Sequence, residues 1–270
     1  MTFENFRLQK PRAGFYIPII GCIASGKSSL CHALARSISE DTGKPCREFL
    51  EPAATEDGVA SKFLPLFYND PSRWAFAVQV EMLTTRRKQT RLAQLLSYNG
   101  EHSVSDSAYE ADSVFVSLLE KRGEISHAEA DLYFELFHQM SEDVLYPQAF
   151  VYLSVNPDTA KKRLDRRMSE KAGRVMESGI KLDYLAGLIN EYDQLTANLS
   201  RFSHVIKLDW NSDKTPEEIE VAAKNLWHLI KSTEHTSPIP CQLGLSDGFI
   251  GGRLRDIDGL SELARYEQRL

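Results

Sequence analysis

No stretch of this sequence approaches eighteen consecutive apolar residues, so a membrane-spanning helix is not expected. Its four cysteines, Cys22, Cys31, Cys46 and Cys241, lie far apart with no C-x-x-C pair. That spacing argues against a disulfide framework or a thiolate zinc site, and for reduced thiols in a cytoplasmic protein. There is no long run of Lys or Arg, and the formal net charge is −6, so a general nucleic-acid surface is not indicated. The opening residues carry Glu4 and no long apolar core, so no signal peptide is expected. No internal repeat or low-complexity tract interrupts the chain. What remains is ordinary globular material: 42% hydrophobic and 26% charged residues over a length of 270 fit one α/β domain with an extension, or two small domains.

The chain is organised around Phe15–Leu30, where Gly21, Gly26, Lys27 and Ser28 fit the pattern G-x-x-x-x-G-K-[ST] of a phosphate-binding loop. An apolar strand pattern over Tyr16–Ile20 precedes it and a helical pattern follows it to about Ser39, which is the setting such a loop requires. Backbone N–H groups across Gly21, Cys22, Ile23, Ala24, Ser25, Gly26, Lys27, Ser28 and Ser29 would curl around phosphate oxygens at the positive end of the helix. Lys27 would reach the β and γ phosphates, and the Ser28 hydroxyl would bind magnesium. Pro18 is the one misfit, because a proline cannot donate to a ladder in a central strand.

Further on, Cys46–Leu50 reads as a second strand ending in Glu51-Pro52, which places a carboxylate at the crevice where open α/β sheets bind ligands. Residues 53–72 read as loop with a short helix, then Arg73–Leu96 as a long helix on which Gln79 and Arg86 lie two turns apart on one face. Residues 102–106 make a third strand. Helices follow over about Ala111–Arg122 and from Ser126, a capping box, to about Asp143. Ala149–Leu153 is the fourth strand and is followed by a helix bearing Arg163, Arg166 and Arg167. Residues 169–179 are mobile in composition. Leu182–Leu199 is a helix, His204–Leu208 the fifth strand, and Thr215–Lys231 the closing helix. Strands alternating with helices give a parallel sheet covered on both faces.

A phosphate loop alone does not choose among nucleotide enzymes, but two absences help. There is no Asn-Lys-x-Asp base-recognition element of a GTPase, and no apolar run ending in an acidic pair as in a motor ATPase. Arginines at 163, 166, 167 and 174, on a segment able to close, suit a transferring phosphoryl group whose equatorial oxygens share spread charge. A solvated basic helix face is the plainer alternative.

Four blocks in order then resemble the deoxyribonucleoside kinases. They are the phosphate loop; Glu51-Pro52; Phe67-Tyr-Asn-Asp-Pro-Ser-Arg-Trp-Ala-Phe-Ala-Val-Gln79, similar to F-Y-x-D/K-P-x-R-W-x-F-x-x-Q; and Gly173-Arg-Val-Met-Glu-Ser-Gly-Ile-Lys-Leu-Asp-Tyr-Leu185, similar to the run that closes the family's lid. The resemblance implies a three-layer P-loop kinase fold with a five-stranded parallel sheet and an Arg-rich lid at about 163–179. The kinase domain would span 15–231, between a short arm (1–14) and an extension (232–270). It implies ATP with Mg2+ as phosphoryl donor, a deoxynucleoside acceptor and a homodimer. Glu51 would be the general base. Tyr68 and Glu177 would hold the sugar 3′-hydroxyl, Gln79 the base edge, and Arg86 with Asp112 the base substituents. Arg163, Arg167 and Arg174 would clamp ATP, while Trp74 reads as core.

Two positions depart from the family. Its acidic–Arg–Ser motif after the third strand reads Asp106-Ser107-Ala108 here, so the carboxylate that would assist magnesium survives but the arginine does not. A second register would put Glu101-His102-Ser103 there; the first is preferred because Asp112 then falls six residues on. Position 56, aromatic in relatives, is Glu56. These changes keep two alternatives open: a same-fold kinase for a nucleoside monophosphate or a modified nucleotide, perhaps within DNA, and a structural member that keeps the fold without turnover.

Overall fold

The computed structural model describes residues 14–51, 62–141, 144–170 and 179–233. Nearly all of the arm, Pro52, Glu56, Arg174, Glu177 and nearly all of the extension lie outside them.

The strand that leads into the phosphate loop, β1 (Tyr16–Gly21), is buried at every position, and it forms the middle of the sheet. Around it stand β2 (Cys46–Phe49), β3 (His102–Asp106), β4 (Ala149–Ser154) and β5 (His204–Asp209), in the order β2-β3-β1-β4-β5. Every pairing is parallel, with Tyr16 opposite Ser103 and Ile19 opposite Val151. Pro18 is accommodated by register. The Phe15 carbonyl accepts from Ser103 on the β3 side, while the Tyr16 N–H points the other way to the Gln148 side chain. Pro18 shares the side of Tyr16, and the β1–β4 register begins only at Ile19, so no ladder donor is missed.

The helices are α1 (Lys27–Thr42), α2 (Leu64–Asn69), α3 (Pro71–Tyr98), α4 (Asp112–Lys121), α5 (His127–Met140), α6 (Pro157–Glu170), α7 (Leu182–Leu199) and α8 (Pro216–Ser232). One layer is α1 with α8, and the other is built from α3, α4, α5 and α7. Asp41 at the end of α1 accepts from Trp227 Nε1 at 2.9 Å and from Lys231 Nζ, which fastens the first layer across the ends of the domain.

Element bounds differ from the sequence reading where a local cap decides them. Asp70 accepts from the Arg73 N–H and Pro71 takes the first turn, so α3 starts two residues early. Gly43, with φ 68, ends α1 at Thr42 rather than near Ser39. The Gln89 side chain donates to the Leu50 carbonyl, and β2 stops at Phe49. Asn156 Oδ1 accepts from the Thr159 N–H to open α6, whose helix continues through Ser169 and Glu170, two residues read from composition as mobile. In α5 the capping box of Ser126 with Glu129 forms as read, but the helix stops at Met140, where the Ser141 hydroxyl turns back to the His138 carbonyl.

Candidate active site

The C-terminal ends of β1, β2, β3 and β5, with α3, α6 and α7, surround one cavity of about 990 Å³. This is where an open parallel sheet presents ligands.

The floor is the loop between β1 and α1. Its glycines are required: a Cβ on Gly21 would lie 2.9 Å from the Leu153 carbonyl oxygen, and one on Gly26, at φ 99, 3.0 Å from Trp210 Nε1. Gly26 is the N-cap of α1 and gives it no side-chain cap, so the first N–H groups of that helix face the cavity as an anion site. Lys27 folds back over the loop, donating to the carbonyls of Gly21 and Cys22 at 3.1 Å each. The Cys22 thiol is turned inward toward the Leu185 carbonyl, and burial pushes its pKa up to about 12, so it is an inert packing group.

Beside the loop stands Asp106, at the end of β3. Its Oδ2 accepts from the Ser28 hydroxyl at 2.6 Å, and its Oδ1 lies 3.9 Å from Lys27 Nζ. His102, the other candidate register, is at the opposite end of β3, buried against Phe15 and Trp227 and away from the cavity. The Asp106 Oδ1 atom is buried with no hydrogen-bond partner among the described residues, and hydroxyl with carboxylate is a hard-oxygen donor set that fits magnesium. Among the described residues no three His, Cys, Asp or Glu side chains gather to hold a metal alone, so a nucleotide's oxygens would complete such a site.

The same cavity is also lined by Glu51, Tyr68, Gln79, Arg86 and Asp112, with Val78, Met82 and Phe115 as apolar lining. Gln79 and Arg86 are both buried on α3, the two-turn spacing facing them inward as read. Arg86 donates to Asp112 Oδ1 at 3.3 Å and to the Asp106 carbonyl at 2.9 Å, and its Nη2 lies 3.7 Å from Glu51 Oε1. Trp74 does not line the cavity; it packs against Phe63 with Arg73 over its ring.

Asp112 is 3% exposed. Burial raises its pKa to about 6 against the opposing pull of Arg86, with Glu51 adding to the rise. The folded protein therefore binds this proton more tightly than the unfolded chain does. The stability it contributes is full below about pH 4 and is lost as the pH rises through 6. Relative to Asp112→Asn, the wild-type protein should lose up to about 3 kcal/mol of unfolding free energy between pH 4 and 7, read by denaturant titration at each pH. A pH-independent difference between the two would count against this.

Above the loop, Arg163 of α6 ties three segments together. Its Nε pairs with Asp213 at 3.1 Å, its Nη1 donates to the Ser25 carbonyl at 3.3 Å, and its Nη2 donates to the Ser212 carbonyl at 2.8 Å. Arg166 and Lys162 also approach Asp213, whose carboxyl these cations hold below its usual range, Arg163 first among them. Arg167 lines the cavity as well, whereas Arg174 and Glu177 fall outside the described residues. The sequence reading missed the segment after β5, where Trp210, Asp213 and Lys214 border the phosphate loop and Lys214 lies over the Trp210 ring at 4.8 Å. Its position after a strand's C-terminal end was the available signal. Tyr184 and Tyr192, eight residues apart on α7, also line the cavity, and burial raises the pKa of both hydroxyls.

No described helix is long and apolar enough to cross a membrane. Residues 17–231 match the family model described as deoxynucleoside kinase. The chain is 26% identical over 230 residues to a deoxyadenosine kinase of Dictyostelium discoideum, covering 85% of this chain and 86% of that protein. It is 30% identical over 194 residues to a deoxyguanosine kinase of the same organism, covering 71% and 62% respectively. Among solved structures, deoxyadenosine kinase from M. mycoides with bound dATP superposes with a TM-score of 0.62 at 23% identity, over 78% of this chain and 98% of that one, a likeness of fold. The family match begins inside β1 and ends inside α8, so it takes in all five strands but for Tyr16, and every residue lining the cavity, and by it the chain belongs to the deoxynucleoside kinase family of phosphotransferases.

Proposed function

We propose that the protein transfers the γ-phosphoryl of ATP to the 5′-hydroxyl of a deoxyribonucleoside. The observation that carries this reading is that two unlike walls share one cavity: Lys27, Ser28 and the uncapped start of α1 in the first, Glu51 with Gln79 in the second. The first wall suits a triphosphate. On the second, Glu51 accepts the proton of the attacking hydroxyl, and the Gln79 amide supplies donor and acceptor together to a base edge. Tyr68, with Glu177, holds the sugar. Arg163 and Arg167, joined by Arg174, close on the phosphates and stabilise charge that spreads over the transferred group. Mg2+ would be held by Ser28 and Asp106, and when bound it neutralises charge on the β and γ oxygens.

The names of the relatives, together with the Gln79–Arg86–Asp112 surface, favour a purine or cytosine base over thymine. The reading also includes a cytoplasmic homodimer, supported by the free thiols Cys22, Cys31 and Cys46 and by the exposed Leu92 and Leu95 of α3.

The test is a panel of the four deoxynucleosides, their monophosphates and a 5′-hydroxyl oligonucleotide with labelled ATP. Label is expected on deoxynucleosides, least on thymidine. Transfer confined to a monophosphate or to the oligonucleotide, or ATP binding without any transfer, would overturn the reading.

A further inference from the structure

Arg86 faces three acidic segments at once. Its side chain is 4% exposed, and each of its nitrogens is turned to a different element: Nε to Asp112 at the start of α4, Nη1 to the Asp106 carbonyl at the end of β3, Nη2 to Glu51 after β2. A planar guanidinium held on three sides is fixed in one orientation. Burial disfavours its charge, but Asp112, then Glu51 and Asp106, more than offset that and keep it protonated.

Glu51 is in the contrary situation. It stands on the chain leaving β2 with 37% of its side chain exposed, and among the described residues Arg86 is its only ion-pair partner. Ser107 follows Asp106 with a neutral hydroxyl that is buried and has no hydrogen-bond partner among the described residues. Lys27 approaches Asp106 from the phosphate-loop side.

We propose that Arg86 is a positioning residue for phosphoryl transfer: it aims the Glu51 carboxylate relative to Asp106 across the gap that Ser107 leaves uncharged. This rests on the reading of Glu51 as general base. Remove the guanidinium, and Glu51 loses its anchor while two carboxylates, Glu51 and Asp112, are left facing each other. A base displaced by about 1 Å costs on the order of 10²-fold in rate.

The test compares full-length wild type, Arg86→Met and Arg86→Lys in the deoxynucleoside panel, with nucleoside and ATP affinities measured by calorimetry. For Arg86→Met, kcat at saturating nucleoside should fall about 10²-fold, while ATP affinity should change by less than about threefold. Arg86→Lys, which restores the charge without the fork, should recover part of kcat. Because Arg86→Met leaves Asp112 buried without its cation, the double variant Arg86→Met/Asp112→Asn is measured alongside, and it carries the same expected loss if the single variant does not fold. A kcat kept within about threefold of wild type, whatever the change in nucleoside affinity, would overturn this inference alone. A wild-type protein that phosphorylates no deoxynucleoside would overturn the kinase reading and this inference with it.

Discussion

Replacing Glu51 with Gln is expected to leave ATP affinity unchanged and to lower phosphoryl transfer by about 10²–10⁴-fold, the range that positioned proton transfer contributes. The substitution keeps the side chain's length and its ability to accept from Arg86, but it removes the site for the hydroxyl proton. Among the described residues Glu51 pairs with Arg86 and not with the phosphate loop, so the donor half of the site should not register the change. Single-turnover transfer with saturating ATP, beside an ATP titration, separates the two effects. Transfer at the wild-type rate would remove Glu51 as the base, whatever else the cavity binds.

Lys27→Met should be nearly as damaging, by a different route. Lys27 is held by two backbone carbonyls of its own loop and stands near Asp106, so its ammonium is already within the region a γ-phosphate would enter. Methionine fills the space of the stem and removes the charge. Losing one well-placed charged or hydrogen-bonding group from a water-poor site costs about 10²–10³ in rate, equivalent to about 3–4 kcal/mol. In contrast to Glu51→Gln, apparent ATP affinity should fall as well, because part of the contact already exists in the ground state. An unchanged kcat/KM for ATP would show that the lysine is a loop-bracing group only.

The parts of this molecule that were legible in its sequence are those whose signal is contiguous. The phosphate loop is eight residues long, and its glycines, lysine and serine carry their reasons with them. β1 and β4 were legible because each is a short apolar run, whereas β2 (Cys-Arg-Glu-Phe) and β3 (His-Ser-Val-Ser-Asp) carry polar residues and give a weaker pattern. Helix ends were less so, since Asp70 capping α3 and Gly43 ending α1 are local choices that periodicity does not encode. The acceptor wall was legible only in part. Gln79 and Arg86 share a helix face, and that much follows from a spacing of seven. That Arg86 would face Glu51 as well as Asp112 depends on where β2 and β3 end beside each other, which no spacing along the chain expresses. The segment Trp210–Lys214 is polar and unpatterned, and only its placement after β5 brings it to the phosphate loop.

The all-parallel sheet has one more consequence. No two neighbouring strands in it are joined by a hairpin: Tyr16 must find Ser103, and Ile19 must find Val151, each across a long intervening chain. Every wall of the cavity hangs on a different one of these distant pairings, so a partly assembled chain has little to offer a nucleotide. A ligand that holds only the finished fold stabilises it by mass action, and the gain is felt by the whole sheet rather than by the loop it touches. The working lifetime of the protein is thereby coupled to the supply of what it binds: an abundant nucleotide pool shelters the enzyme from unfolding and degradation, and a depleted one exposes it.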